Sequence, residues 1–182
     1  MSTTTMRGGN VNVGADTRLL VEAQQGELAL LDHPVAQELL RATLPARLAY
    51  TAGDGTPRVV PVLFHWTGKE IVLSSWPDDP KVAALQAHPR VALTIDTADP
   101  PFKVLSIRGS ASVTIVDGMA EECLPTFTRY FGPEQGRARA EQMGQLTDQM
   151  ARIAVRPNWV DVLDFVTRFP NGMVRRMRKA PI

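Results

Sequence analysis

Between Val104 and Val116 the chain alternates more strictly than anywhere else. Leu105, Ile107, Gly109, Ala111, Val113 and Ile115 fall on one side, and Ser106, Arg108, Ser110, Ser112 and Thr114 on the other. A period of two places successive side chains on opposite faces of a pleated strand. The segment therefore predicts one long strand with a core face and a wet face, and it needs neighbouring strands to bury the apolar side.

Neighbours are legible on both sides. Arg47–Ala52 and the Val-rich run Pro57–Trp66 flank Gly53-Asp54-Gly55, a hairpin signal. After Thr67-Gly68 the run Lys69–Ser75 reads as a third strand, so the three are expected to form a meander. Arg90–Thr97 resumes strand character, and Ala151–Val155 with Trp159–Phe165 reads as a returning strand or strand pair.

Helices enter at few places. Asp32 can cap a helix carrying Val35, Leu39 and Leu40 before Pro45 stops it. Asp78-Asp79-Pro80 supplies a capping acid followed by proline at the first helical position, ahead of Val82, Leu85 and Gln86. From Asp117 to about Met150 the residues favour helix with a break at Phe131-Gly132-Pro133, which predicts two helices outside the sheet. About six strands at short spacing with few helices predict a mainly β chain with α insertions, antiparallel and barrel-like. A parallel dinucleotide-binding sheet has no support, because no G-x-G-x-x-G follows a strand.

Composition narrows the function classes. With 182 residues, 44% hydrophobic and 21% charged, and a net charge of +1, the chain can bury a core and carries no broad polyanion-binding field. No apolar run approaches the roughly 20 residues a membrane helix needs. Met1–Asn10 has no apolar stretch behind its positive charge and Cys123 is the only cysteine, so the expectation is a cytoplasmic protein without disulfides. Residues 1–17 read as a mobile arm, 18–170 as the folded domain and 171–182 as a basic tail.

The stretch VLSSWPDDPKVAAL, Val72 to Leu85, is the most suggestive for chemistry. It runs from a strand through Ser74, Ser75 and Trp76 into a helix start carrying Lys81. Helix N-termini favour anions through their unpaired N–H groups and dipole. With Arg58 brought alongside by a neighbouring strand, a phosphate could meet two cations and several donors. The plain reading stands beside it: one of Asp78 and Asp79 caps the helix, Lys81 pairs with them on the surface, and Arg58 is a hairpin edge residue. His33, His65 and His88 show no metal-ligand spacing, and no G-x-S-x-G elbow or base beside Cys123 supports a nucleophile.

Taken together, Gly55–Val62, Val72–Ser75, Lys81 and His88–Leu93 resemble the pyridoxamine-phosphate-oxidase-like split β-barrels, and the ending Arg152–Val160 with Asp164-Phe165 and Arg168-Phe169-Pro170 is similar to an actinobacterial subgroup. The resemblance implies a split β-barrel homodimer with FMN, or the deazaflavin coenzyme F-420, in a groove between subunits. It nominates Arg58, Val59, Val60 and Pro61 on the second strand, Ser74, Ser75 and Trp76 on the third, Lys81 for the phosphate, and Trp159, with Asp161, contributed by the partner. One departure is Asp79, where tight binders of that family often carry a basic residue. The implied activity is hydride transfer to or from a small organic molecule, with no side chain assigned as acid or base. A non-catalytic flavin-sequestering protein, or a haem-handling barrel using His65, are the other readings.

Overall fold

The computed structural model describes residues 24–177 and 179. Its strands are β1 (Ala46–Thr51), β2 (Pro57–Val62), β3 (His65–Trp66), β4 (Ile71–Ser75), β5 (Arg90–Asp96), β6 (Val104–Asp117) and β7 (Gln149–Leu163). The helices are α1 (Pro34–Arg41), α2 (Pro80–Ala87), α3 (Cys123–Phe131), α4 (Pro133–Gly144) and α5 (Asn171–Met177), preceded by a 3-10 turn, Leu28–Asp32. All strands join one antiparallel sheet in the order β2-β1-β5-β6-β7-β4-β3. No helix among the described residues is long and apolar enough to cross a membrane. The expected arm at residues 1–17 lies outside the described residues. Part of the expected basic tail, Arg175 and Arg176, belongs to α5.

The alternating segment is β6, and its inward set Leu105, Ile107, Gly109 and Ala111 is buried as the period requires. The pattern then outruns the core. Ser110 is the last β6 residue paired with β5, opposite Arg90, so beyond it β6 is an edge, and Ile115 is 41% exposed. β6 pairs along its length with β7, which is one continuous strand rather than two. Pro157 cannot donate to the ladder, and the register slips there: Arg108 faces Trp159 while Gly109 faces Pro157, leaving Asn158 as the extra residue of a bulge. Gly109 is needed at the slip because a Cβ would come 2.4 Å from the Arg156 carbonyl oxygen.

The expected meander is not formed. The run Pro57–Trp66 breaks at Leu63-Phe64, where Phe64 turns fully into the core and its carbonyl accepts a bond from Arg129. β2 pairs only β1, β3 pairs only β4, and these two strands become opposite edges of the sheet. Three Cα steps from Val62 to His65 span at most roughly 11 Å, whereas seven flat strands would hold their edges about 29 Å apart. The sheet therefore curls. Inside the curl, Leu48, Phe64, Ile71, Ile95, Ile107, Ile153 and Val160 are essentially inaccessible, with Leu39, Leu40 and Leu85 from α1 and α2 sealing the core.

Caps follow local chemistry, with one change. Asp79 is the N-cap of α2, its carboxylate accepting from Lys81 N at 2.9 Å, with Pro80 in the first turn. At α1 the cap is His33 rather than Asp32: Nδ1 accepts from Val35 N at 3.2 Å, and Asp32 closes the preceding 3-10 turn. Pro34 sets the helix start, and this places the residue before it in the capping position. The break between α3 and α4 falls at Gly132, with φ of 82°, within the expected Phe131-Gly132-Pro133.

Candidate functional site

A cavity of about 330 Å³ opens between the end of β2, the end of β4, the start of α2 and the α3–α4 pair. That size is at the small end of ligand pockets. Pro61, Val62 and Leu63 form one wall, Ser74, Ser75 and Trp76 a second, and Asp79 and Lys81 a polar corner. Cys123, Thr126 and Phe127 of α3, Met143 of α4 and Met150 of β7 close it from above. Five residues nominated from sequence, Pro61, Ser74, Ser75, Trp76 and Lys81, thus meet in one place.

The polar corner is a closed triangle. Lys81 Nζ donates to Asp79 Oδ2 at 2.5 Å and to Ser75 Oγ at 2.7 Å, and Ser75 Oγ donates to Asp79 Oδ2 at 2.8 Å. The pairing of Lys81 with an acid is as the plain reading had it, but it lies inside the cavity rather than on the open surface, the Lys81 side chain 15% and that of Asp79 27% exposed. Burial works against the Asp79 carboxylate, yet the bonds from Lys81 and Ser75 outweigh it and hold its pKa below the ordinary 3.8.

Arg58 does not line this cavity. It sits at the hairpin end of β2, where Nη2 pairs with Asp54 Oδ2 at 3.0 Å and Nη1 reaches Thr56, with its side chain 47% exposed. Pro61 lies three residues further along the strand, roughly 10 Å away. Val59 is 65% exposed, and Val60 packs against the core. Trp159 lies eight residues along β7 from Ala151, the partner of Ser75, so roughly 25 Å separates it from the corner. Its ring carries the Arg108 guanidinium at 4.0 Å, and the adjacent Asp161 accepts from Gln25 Nε2 at 3.0 Å.

Sequence reasoning missed the upper wall. The insertion was expected outside the sheet, but α3 is tied to it by Glu122, which is 6% exposed and holds Arg152 of β7 through Nε at 3.0 Å and Nη2 at 2.5 Å. Arg152 faces Ser74 in the β4–β7 register, so this ion pair locks the lid over the cavity floor. The apolar face of α3 that includes Phe127, and Met143 as the one large apolar residue of the polar α4, were the available signal. Cys123 is buried with Sγ 3.3 Å from Ser74 Oγ, and burial pushes its thiol pKa up, away from the nucleophilic thiolate. His65 is elsewhere: it lines a second cavity of about 570 Å³ with Arg41 and Arg129.

Comparison with known proteins agrees with this architecture. An F420 reductase is 27% identical and superposes with a TM-score of 0.54, covering 69% of this chain and 94% of its own. A conserved hypothetical protein of Mycobacterium tuberculosis is 19% identical at a TM-score of 0.58, over 71% of this chain and 82% of that one. HutZ, the heme storage protein from Vibrio cholerae, is 18% identical at 0.53, over 72% and 93%. No curated protein matches the sequence. The family model described as pyridoxamine 5'-phosphate oxidase matches residues 33–160, which spans α1 through all but the last residues of β7 and takes in both the curled sheet and the Lys81 corner. On that match, the chain belongs to the pyridoxamine 5'-phosphate oxidase family.

Proposed function

We propose that the chain is a split β-barrel homodimer and an oxidoreductase that uses FMN or the deazaflavin coenzyme F-420, its cofactor seated in the cavity beside Lys81. The observation that carries this reading is a cavity in which the Lys81 ammonium and the Ser75 hydroxyl meet Asp79 at one corner, Ser74 lines the wall beside Cys123, and Pro61, Leu63, Phe127 and Met143 supply apolar surface. Apolar walls suit a flat heteroaromatic ring, and hydroxyl donors suit its polyol chain. The family and the likeness to an F420 reductase support the same cofactor class. When bound, such a cofactor supplies the hydride chemistry, while the protein binds, orients and excludes water. In this role Phe127 and Met143 keep solvent out, and Ser74, Ser75 and Lys81 orient the polar end.

The curled sheet, whose edges are joined through Leu63-Phe64, supports closure as a barrel. Arg58, Val59 and Trp159 face away from the cavity, so they would reach a cofactor only across a subunit interface. The exposed Val59 and the Arg108–Trp159 stack offer the surface for one. Titration with FMN and separately with F-420, followed by fluorescence, is expected to give saturable binding of one of them to a dimer seen by sedimentation. A chain that takes up neither cofactor, or binds one as a stable monomer, overturns the reading. The haem alternative would use His65 in the other cavity; a Soret band abolished by His65→Ala would favour it.

A further inference from the structure

We infer that Asp79 is an internal anion occupying the place where a ligand phosphate would bind, so that the cavity selects its ligand without using a phosphate group. The inference rests on the reading of this cavity as the cofactor site, and it adds the residue that sets specificity there. Its basis is the engagement of one carboxylate by the chain's own donors. Asp79 Oδ1 accepts from the backbone N–H of Lys81 at 2.9 Å, and Oδ2 accepts from Lys81 Nζ at 2.5 Å and Ser75 Oγ at 2.8 Å. An ammonium, a hydroxyl and a helix N-terminal N–H are the donors that would otherwise converge on a phosphate, and here all three turn to the chain's own acid.

No other cation compensates. Among the described residues lining the cavity, Lys81 is the one basic side chain and Asp79 the one acidic, so the corner is neutral overall. Arg58, the second cation expected there, is committed to Asp54 at the hairpin. A phosphate brought to Lys81 would have to displace Asp79, unpairing a part-buried carboxylate and uncapping α2, or else sit against it with like charge. A ligand presenting hydroxyl or amide donors meets the opposite situation, because Asp79 and Ser75 can still accept. The cavity is thus matched to the riboflavin-like part of a flavin or deazaflavin and indifferent to the phosphate that follows.

Asp79→Ser is the discriminating variant, since serine keeps the N-cap while removing the charge. Thermal melts are measured with inorganic phosphate against chloride at matched ionic strength, for the unmodified chain, Asp79→Ser and Asp79→Ser/Lys81→Ala. The unmodified chain should show no phosphate-specific shift. Asp79→Ser should gain one on the order of 3 °C with phosphate well above its dissociation constant, and the double variant should lose it. A phosphate shift in the unmodified chain equal to that of Asp79→Ser, or none in Asp79→Ser, overturns the inference. Riboflavin and FMN titrations form the second arm: affinities within about threefold of each other for the unmodified chain, and FMN preferred by roughly tenfold or more in Asp79→Ser, as for one charge-assisted contact. A tenfold FMN preference in the unmodified chain also overturns it. If no variant binds either flavin while the melts behave as expected, the cofactor reading fails and the role of Asp79 stands.

Discussion

Glu122→Gln tests whether the lid over the cavity is held by charge or only by shape. The carboxylate is 8% exposed and the Arg152 side chain 26%, and the two make contacts of 2.5, 3.0 and 3.2 Å. Removing one partner of a buried pair costs about 3–5 kcal/mol, because the other charge stays behind. Arg152 keeps some access to water and Gln can still accept one bond, so we expect about 2 kcal/mol. For a chain of this size that is roughly 4–8 °C in Tm. The assay is urea unfolding followed by tryptophan fluorescence at fixed protein concentration. A double-mutant cycle with Arg152→Gln should give a coupling of at least about 1 kcal/mol. The effect is also pH-dependent. Burial opposes the Glu122 carboxylate, but the Arg152 hydrogen bond and charge prevail and depress its pKa below the ordinary 4.5. A depressed folded-state value means that the stabilisation is complete above the unfolded value and is lost as pH falls through the folded one. The difference between the two proteins should therefore be full at pH 7 and shrink below about pH 4. Additive single mutants, or a loss under about 0.5 kcal/mol at pH 7, would refute the reasoning.

Further expectations follow from close packing and from turn chemistry. Gly136→Ala should destabilise by roughly 1–3 kcal/mol, although helix propensity alone predicts a gain; a Cβ there would lie 2.6 Å from the Thr128 backbone, where α3 and α4 touch, and a higher Tm would contradict the contact. Asp164→Ala should cost about 1–2 kcal/mol, since its Oδ1 accepts from the N–H groups of Val166, Thr167 and Arg168 at 2.7–2.9 Å; equal stability by urea unfolding would argue against it. Burial raises the Asp164 pKa, but those bonds with the Thr167 hydroxyl depress it well below 3.8. Asp79 shares that direction, so acid unfolding should set in below about pH 4, and Asp164→Ala should make the curve flatter there, as measured by circular dichroism against pH.

Much of the scaffold was legible because it is decided within a few residues. The period of two in β6, the Asp79-Pro80 helix start, the turn at Asp54-Gly55 and the Gly132 break each depend on one residue's own φ/ψ preferences or on a hydrogen bond to a near neighbour. The capping choice at His33 was missed by one position because Pro34 decides it. Candidate site residues on β4 and α2 were also within reach, since Ser74 through Lys81 are contiguous and stay together however the sheet is assembled.

What the chain's text alone determined, then, is most of the strands and helices, though not the break between β2 and β3, the continuity of β7 or the helix α5, together with the nearness of Ser75, Asp79 and Lys81, because each of these is built from neighbours in sequence. Tertiary structure decided the rest. It sent β2 and β3 to opposite edges, because burying Phe64 was worth more than continuing a hairpin run. It also turned Arg58 outward to Asp54 and laid α3 over Ser74 through Glu122 and Arg152, 30 residues apart. Such contacts are fixed by which apolar faces can be buried together, and a linear pattern records the faces but not their partners.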